Sequence, residues 1–155
     1  MIPAFVSRPN WAPPVIEHKL ADLYALIRET GFSVKTVGKT QAALQSPFDE
    51  VRDLMGQSKC AIVLGLPFIF VERARVKHTD PTRFNLSTEW NQIEATVALM
   101  MGLPTMVLLH NTVAPRGIFE RGAANLFVTD FNVMEHDWVE KLRLGLETLR
   151  SRVDA

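Results

Sequence analysis

The segment STEWNQIEATVALMMGLP, Ser87 to Pro104, decides the fold because it changes period within itself. Up to Met101 it has helical spacing; beyond Gly102 and Pro104 it hands over to TMVLLH (Thr105–His110), a continuous apolar run that reads as a buried strand. At about 100° per residue, Trp90, Ile93, Val97, Ala98, Met100 and Met101 form one apolar arc, which predicts the buried side of the helix. Polar Asn91, Gln92 and Thr96 fall towards the other side. Glu94 lies inside the apolar arc, one turn from both Trp90 and Ala98. A carboxylate on a face that is expected to be buried needs a reason.

Working outward, strand-like and helix-like segments alternate along the whole chain. PAFVS (Pro3–Ser7) is a short buried strand ending in the turn-rich RPNWAPP. Ile16, Leu20, Leu23 and Ile27 recur at helical spacing, and Gly31 stops that helix. FSVKTVG alternates apolar and polar positions, as a half-exposed edge strand does. Ser46-Pro47 is a helix start with Ser as N-cap, and Phe48, Val51, Leu54 and Met55 supply the apolar stripe. CAIVLG (Cys60–Gly65) has the unbroken apolar character of a central parallel strand. NLFVTD is the fifth strand, and GIFERGA before it is a weak helix or turn. The last helix is expected to begin at Asp137, with Glu140 completing a capping box. Trp138, Leu142, Leu146, Leu149 and Val153 form its buried stripe. Five such units predict an α/β, three-layer flavodoxin-like fold with a five-stranded parallel sheet in the order 2-1-3-4-5, in one domain spanning residues 1–155.

Composition narrows the function classes. Hydrophobic residues make up 47% of the chain, and 17 Lys and Arg balance 17 Asp and Glu. There is no basic excess to recommend a nucleic-acid or membrane partner. Cys60 is the one cysteine, so no internal disulfide is possible, and it reads as a small buried hydrophobe. His78 and His110 lack companions at ligand spacing, so no metal site is expected. No apolar run reaches the length of a membrane span, and no signal-like segment opens the sequence; the expected compartment is the cytoplasm. Neither a G-x-G-x-x-G nor a G-x-x-x-x-G-K-[ST] motif is present, which argues against a dinucleotide Rossmann site or an NTPase P-loop.

In a sheet of this order, ligands bind beyond the carboxyl ends of the strands, at the switch point between the first and third. The first strand delivers Phe5, Ser7 and Arg8 there; the third is followed by Pro67; the helix of the opening segment brings Ser87, Trp90, Asn91 and Glu94. Glu94 can then face a crevice from an apolar wall. Desolvation raises the pKa of such a carboxyl group and suits it to act as acid, base or stabilising anion. The competing reading is an ion pair with Arg8 or a side chain reaching out at the helix edge. VERARVKHTDPTRFN (Val71–Asn85) reads as a long mobile loop covering the crevice, with Arg73, Arg75, Lys77, His78 and Arg83 available to phosphates.

Three of these stretches, in order, resemble Toll/interleukin receptor (TIR) domains. AFVSRPN is similar to their first box. STEWNQIEA resembles the Trp-x-x-x-Glu segment carrying the catalytic glutamate of TIR-type NAD hydrolases, which aligns to Trp90 and Glu94. HDWVEKLRLGLETL resembles the third box, at Trp138. GKTQAAL (Gly38–Leu44) stands where an Arg-Asp/Pro-Gly second box would be. IEATVALMMGLPTMVLL is also similar to nucleoside deoxyribosyltransferases, whose Glu-x-x-x-Ala-x-x-x-Gly-x-Pro pattern falls on Glu94, Ala98, Gly102 and Pro104. Their Asp and Gly-Thr before the helix are absent from NLSTEWN.

Both resemblances imply cleavage or transfer at the N-glycosidic bond of NAD or a related nucleotide or nucleoside, with Glu94 catalytic. On this reading Phe5, Ser7, Arg8, Pro67 and Ser87 line the substrate site, Trp90 stacks on a base or ribose, and Asn91 meets a ribose hydroxyl. A transferase of the deoxyribosyltransferase type and a non-catalytic module that binds a nucleotide signal are the alternatives. No tightly bound cofactor is expected, and NAD or a nucleotide enters as substrate or ligand. A homo-oligomer is expected as well.

Overall fold

The computed structural model describes residues 1–37 and 46–155. Its main sheet has five parallel strands. In chain order these are β1 (Ile2–Ser7), β2 (Phe32–Lys35), β3 (Cys60–Gly65), β6 (Thr105–His110) and β7 (Phe127–Phe131), arranged β2-β1-β3-β6-β7. Numbered within the sheet alone, that is the expected order 2-1-3-4-5. Every residue of β3 and β6 is buried, because helices cover both faces of these central strands.

The alternation of side chains sorts the core into two layers. Ala4, Val6, Ile62, Leu64, Met106 and Leu108 face α1 (Pro14–Glu17), α2 (Leu20–Glu29) and the terminal helix α5 (Arg143–Asp154). Phe5, Ala61, Val63, Val107 and Leu109 face the opposite way, beneath α3 (Pro47–Gly56) and α4 (Glu89–Met100). Cys60 is wholly buried, and desolvation pushes its thiol up to about 12, so it behaves as an apolar side chain.

Local signals decide most boundaries. Ser46 caps α3, accepting a hydrogen bond from Asp49 N at 3.2 Å, with Pro47 at the first helical position. Gly31, at φ +98°, turns the chain after α2 and lets its N–H bond to Arg28 O.

Four expectations need correction or restriction. The first helix is broken at His18 and Lys19 into α1 and α2, although Ile16, Leu20, Leu23 and Ile27 are all buried in one stripe. The last helix does not start at Asp137. A 3₁₀ turn, Glu140–Leu142, precedes α5, and the two acids are drawn to cations instead: Asp137 to Lys141 at 3.2 Å and Glu140 to Arg143 at 2.6 Å. The segment Val71–Asn85 is no loop. It forms most of an antiparallel hairpin, β4 (Ile69–Ala74) and β5 (Thr82–Leu86), with Glu72 and Arg83 paired across it at 2.6 Å. Its charged side chains masked a period-2 pattern, Ile69 and Val71 half-buried and Phe70 and Glu72 outward. The stretch Gly38–Leu44 lies outside the described residues. Among the described residues no helix is long and apolar enough to cross a membrane.

Candidate functional site

Helix α4 is rotated relative to the apolar arc read from its sequence. The residues it buries are Asn91, Glu94, Ala95 and Ala98, spaced i, i+3, i+4 and i+7. Trp90, Ile93, Met100 and Met101 are exposed instead. Two alanines let the helix sit close on Val63 and Phe5 of the sheet, and the wide residues of the arc do not fit there. Glu94 is therefore buried because the sheet-facing side of α4 is small and polar at its N-terminal end. The apolar arc lies elsewhere on the helix.

The polar end is a directed hydrogen-bond chain. Thr88 is the N-cap of α4: its Oγ1 accepts from Asn91 N at 3.2 Å and donates to Asn91 Oδ1 at 3.1 Å. Asn91 Nδ2 donates to Ser7 Oγ at 2.8 Å, tying the helix to the last residue of β1. With its oxygen accepting from Asn91, the Ser7 hydroxyl has its proton free for the carboxylate of Glu94, whose anion it favours. Each donor in the chain polarises the next towards that carboxylate. Glu94 is 8% exposed, and burial pushes its carboxyl up to about 7, with the Ser7 hydrogen bond pulling the other way. A carboxyl half-ionised near neutrality, at the carboxyl end of a strand beside the switch point, is the chemically poised group of this site.

The other expected residues are distributed as follows. Ser7, Asn91 and Glu94 come together. Trp90 lies one helical turn from Glu94 and is 44% exposed, at the outer edge. Phe5 is wholly buried in the core beneath Ser7, and Pro67 is buried at the end of β3. Arg8 does not join Glu94. One residue beyond Ser7, it projects to the opposite face, where it clamps Glu17 at 3.0 and 2.6 Å and donates to Pro9 O at 2.8 Å. The hydrogen bond to Glu17 raises its pKa against the effect of burial. The ion pair between Arg8 and Glu94, weighed as the structural alternative, is thus not made. Asn91 is 1% exposed with both ends of its amide engaged, which makes it an orienting group for Ser7.

Ser87 lines a separate recess of about 280 Å³ at the start of α4, between the root of the hairpin and the 3₁₀ turn Gly117–Phe119. Thr88, Glu89, Gln92 and Arg116 also border it. Gln92 builds its wall, donating to Arg116 O at 3.0 Å and accepting from Ile118 N at 2.9 Å. Neither Thr88 nor Gln92 was among the residues singled out in the sequence. The Thr88–Asn91 spacing of an N-cap was the available signal for the first; nothing local announced the second, whose partner lies 24 residues on. His110 ends β6 on the Arg8 face; Thr112 Oγ1 lies 2.8 Å from its Nδ1, and its ring meets Phe131 edge-on.

No family model matches the sequence, and no curated protein matches it either. Among solved structures, the chain is similar to the CMP N-glycosidase BcmB of Clostridium botulinum. The TM-score is 0.57 at 17% identity, covering 92% of this chain and 98% of that one. The TIR domains of the activated Roq1 resistosome align over 97% of this chain and 84% of theirs, at 15% identity and a TM-score of 0.45. At this identity the likeness to BcmB is one of fold. The five-stranded parallel architecture expected from the alternation of strands and helices is the architecture found.

Proposed function

We infer that the protein cleaves the N-glycosidic bond of a nucleotide, with Glu94 as the catalytic carboxylate. The observation that carries this reading is the placement of Glu94, buried and held by a hydroxyl that is itself held, at the carboxyl end of β1. As the C1′–N bond breaks, its electron pair leaves with the base and positive charge develops at C1′ and the ring oxygen. A fixed carboxylate in a water-poor setting stabilises that charge without reorganising, or captures C1′ as an ester. Water then adds at C1′, giving the free sugar and a proton. Ser7 and Asn91 keep the carboxylate aimed.

Two features support a nucleotide over a nucleoside, and NAD among nucleotides. The recess beside Ser87 lies at the N-terminus of a 12-residue helix, with the cation Arg116 on its border, a setting that suits phosphate; Glu89 on the same border opposes it. The hydrogen-bonded group around Glu94 holds, among the described residues, one titratable side chain. Nicotinamide departs as a neutral base and needs no second acid, whereas cytosine or adenine leaves more readily when protonated. Incubation with NAD, CMP and deoxynucleosides, followed by chromatography of the released base, tests the reading. Release of nicotinamide is the expected result; release of base from deoxynucleosides only with an acceptor base present would indicate a transferase. Binding without turnover of any of these would replace the enzyme by a module that binds a nucleotide signal.

A further inference from the structure

Trp11 stands half exposed where two other aromatic side chains meet it. Its ring centre lies 6.2 Å from that of Phe68 and 6.4 Å from that of Phe70, edge-on to both at 74° and 80°. Trp11 is 48% exposed and Phe70 51%. The three rings come from separate elements: the loop after β1, the exit of β3 and the first strand of the hairpin. Since β1 and β3 are neighbours in the sheet, the rings gather at the switch point. Ser7, whose hydroxyl belongs to the group around Glu94, lies four residues before Trp11, a reach of at most about 14 Å. Asn85 shares this face of the hairpin. It is the cross-strand partner of Phe70, so both side chains leave the ladder on the same side. Its backbone carbonyl accepts from Ala114 N at 2.9 Å, but among the described residues no hydrogen bond engages its half-buried side-chain amide. One step further along the hairpin, Arg83 is held by Glu72.

We propose that Trp11, Phe68, Phe70 and Asn85 bind a second base, the adenine of a dinucleotide whose other base leaves at Glu94; this rests on the reading of the protein as a nucleotide N-glycosidase. Rings held by one another and half open to solvent are a stacking surface for a flat heterocycle. A side-chain amide beside them offers a donor and an acceptor together, which matches the N6 and N7 edge of adenine. Position separates the two bases. The leaving base has to lie against Glu94, which is 8% exposed, whereas the aromatic group stands at the half-exposed rim. Charge complementarity agrees. In a chain of zero net charge, Val71–Asn85 carries four Lys and Arg against two Asp and Glu, so the hairpin favours the phosphates that join two nucleosides. Three rings beside an amide and an ion pair make a surface of ligand size, well short of a protein interface. The second base does not touch the bond that breaks. It helps to hold C1′ at the carboxylate, so its loss is felt in the affinity for the dinucleotide.

Calorimetric titration of the wild type, Trp11→Ala, Trp11→Phe and Asn85→Ala with AMP, GMP, nicotinamide mononucleotide and NAD tests the proposal, with a thermal melt of each protein. The wild type is expected to bind AMP more tightly than GMP. Trp11→Ala is expected to weaken AMP and NAD about tenfold, the order of one lost base–aromatic stack, and to leave nicotinamide mononucleotide unchanged. Trp11→Phe keeps a ring and is expected to keep most of the affinity, which separates stacking from a change of fold. Asn85→Ala is expected to bring AMP down to the level of GMP. AMP that does not bind at millimolar concentration, or that binds the wild type and Trp11→Ala alike, would overturn the site. So would an equal loss for AMP and nicotinamide mononucleotide. Turnover is read separately. AMP bound through Trp11 with no base released from NAD keeps the adenine site and overturns the glycosidase. Nicotinamide release with KM for NAD unchanged in Trp11→Ala keeps the glycosidase and overturns the site.

Discussion

On the proposed reading, Glu94 couples chemistry to stability through one proton. Its carboxyl has an ordinary value of 4.5 and is pushed up to about 7 in the folded chain by burial, against the Ser7 hydrogen bond. Between those values the native state holds a proton that the unfolded state has lost. The contribution to stability is complete below about 4.5 and disappears as the pH rises through 7, a difference of roughly 3 kcal/mol. Glu94→Gln removes that dependence. The two proteins are expected to unfold alike at pH 5, with the variant the more stable by up to roughly 3 kcal/mol at pH 8, as read from denaturant melts. A wild type that keeps its full stability at pH 8 would contradict the burial argument. Ser7→Ala deletes the donor that favours the anion, so the acid limb of the pH–rate profile is expected to move to higher pH. The same change leaves Asn91 Nδ2 buried without its acceptor, which costs about 1–2 kcal/mol in a thermal melt.

Helix α4 shows where a sequence is legible at the level of elements and where it is not. Its existence and bounds follow from period and caps, whereas its rotation depends on which side chains fit the sheet. Hydropathy ranks Trp90 and Met101 above Ala95 and Ala98, but close packing on β3 admits only the small pair, and the polar group with Glu94 follows them inward. Hairpin β4–β5 was hidden for a related reason: its alternation lies under side chains that are mostly charged. Asp137 and Glu140 make a cap in the sequence and ion pairs in the fold. Gln92 belongs to this scale, since it fastens α4 to the turn after β6. Gly117, at φ +62°, could carry a Cβ only 2.6 Å from Gln92 Oε1. Gly117→Ala is expected to lose about 1–3 kcal/mol of stability in a denaturant melt, through the left-handed backbone and the displaced amide. Gln92→Ala keeps the glycine but slackens the recess beside Ser87; its effect is expected on KM for a phosphorylated substrate, with kcat nearly unchanged. Equal losses in both constants would place Gln92 nearer the chemistry than this account has it.

At the scale of the whole molecule, the strand order was legible because β3 and β6 are apolar on both faces, which only the centre of a covered parallel sheet requires. That order puts the end of β1 beside β3 and brings Ser7, from the start of the chain, under Asn91 and Glu94, more than 80 residues later. Arg8 shows the limit of the inference: nearness in sequence placed it at the crevice, and the pleat of β1 turned it to Glu17. The most direct test of the account is the rate of base release by wild-type protein and Glu94→Gln side by side, at pH 8 and saturating NAD, where the wild-type carboxylate is ionised. The account predicts nicotinamide release by the wild type and a fall of about 100- to 1,000-fold in the variant, with the fold and the affinity for NAD retained. Equal turnover by a stably folded Glu94→Gln protein would contradict it.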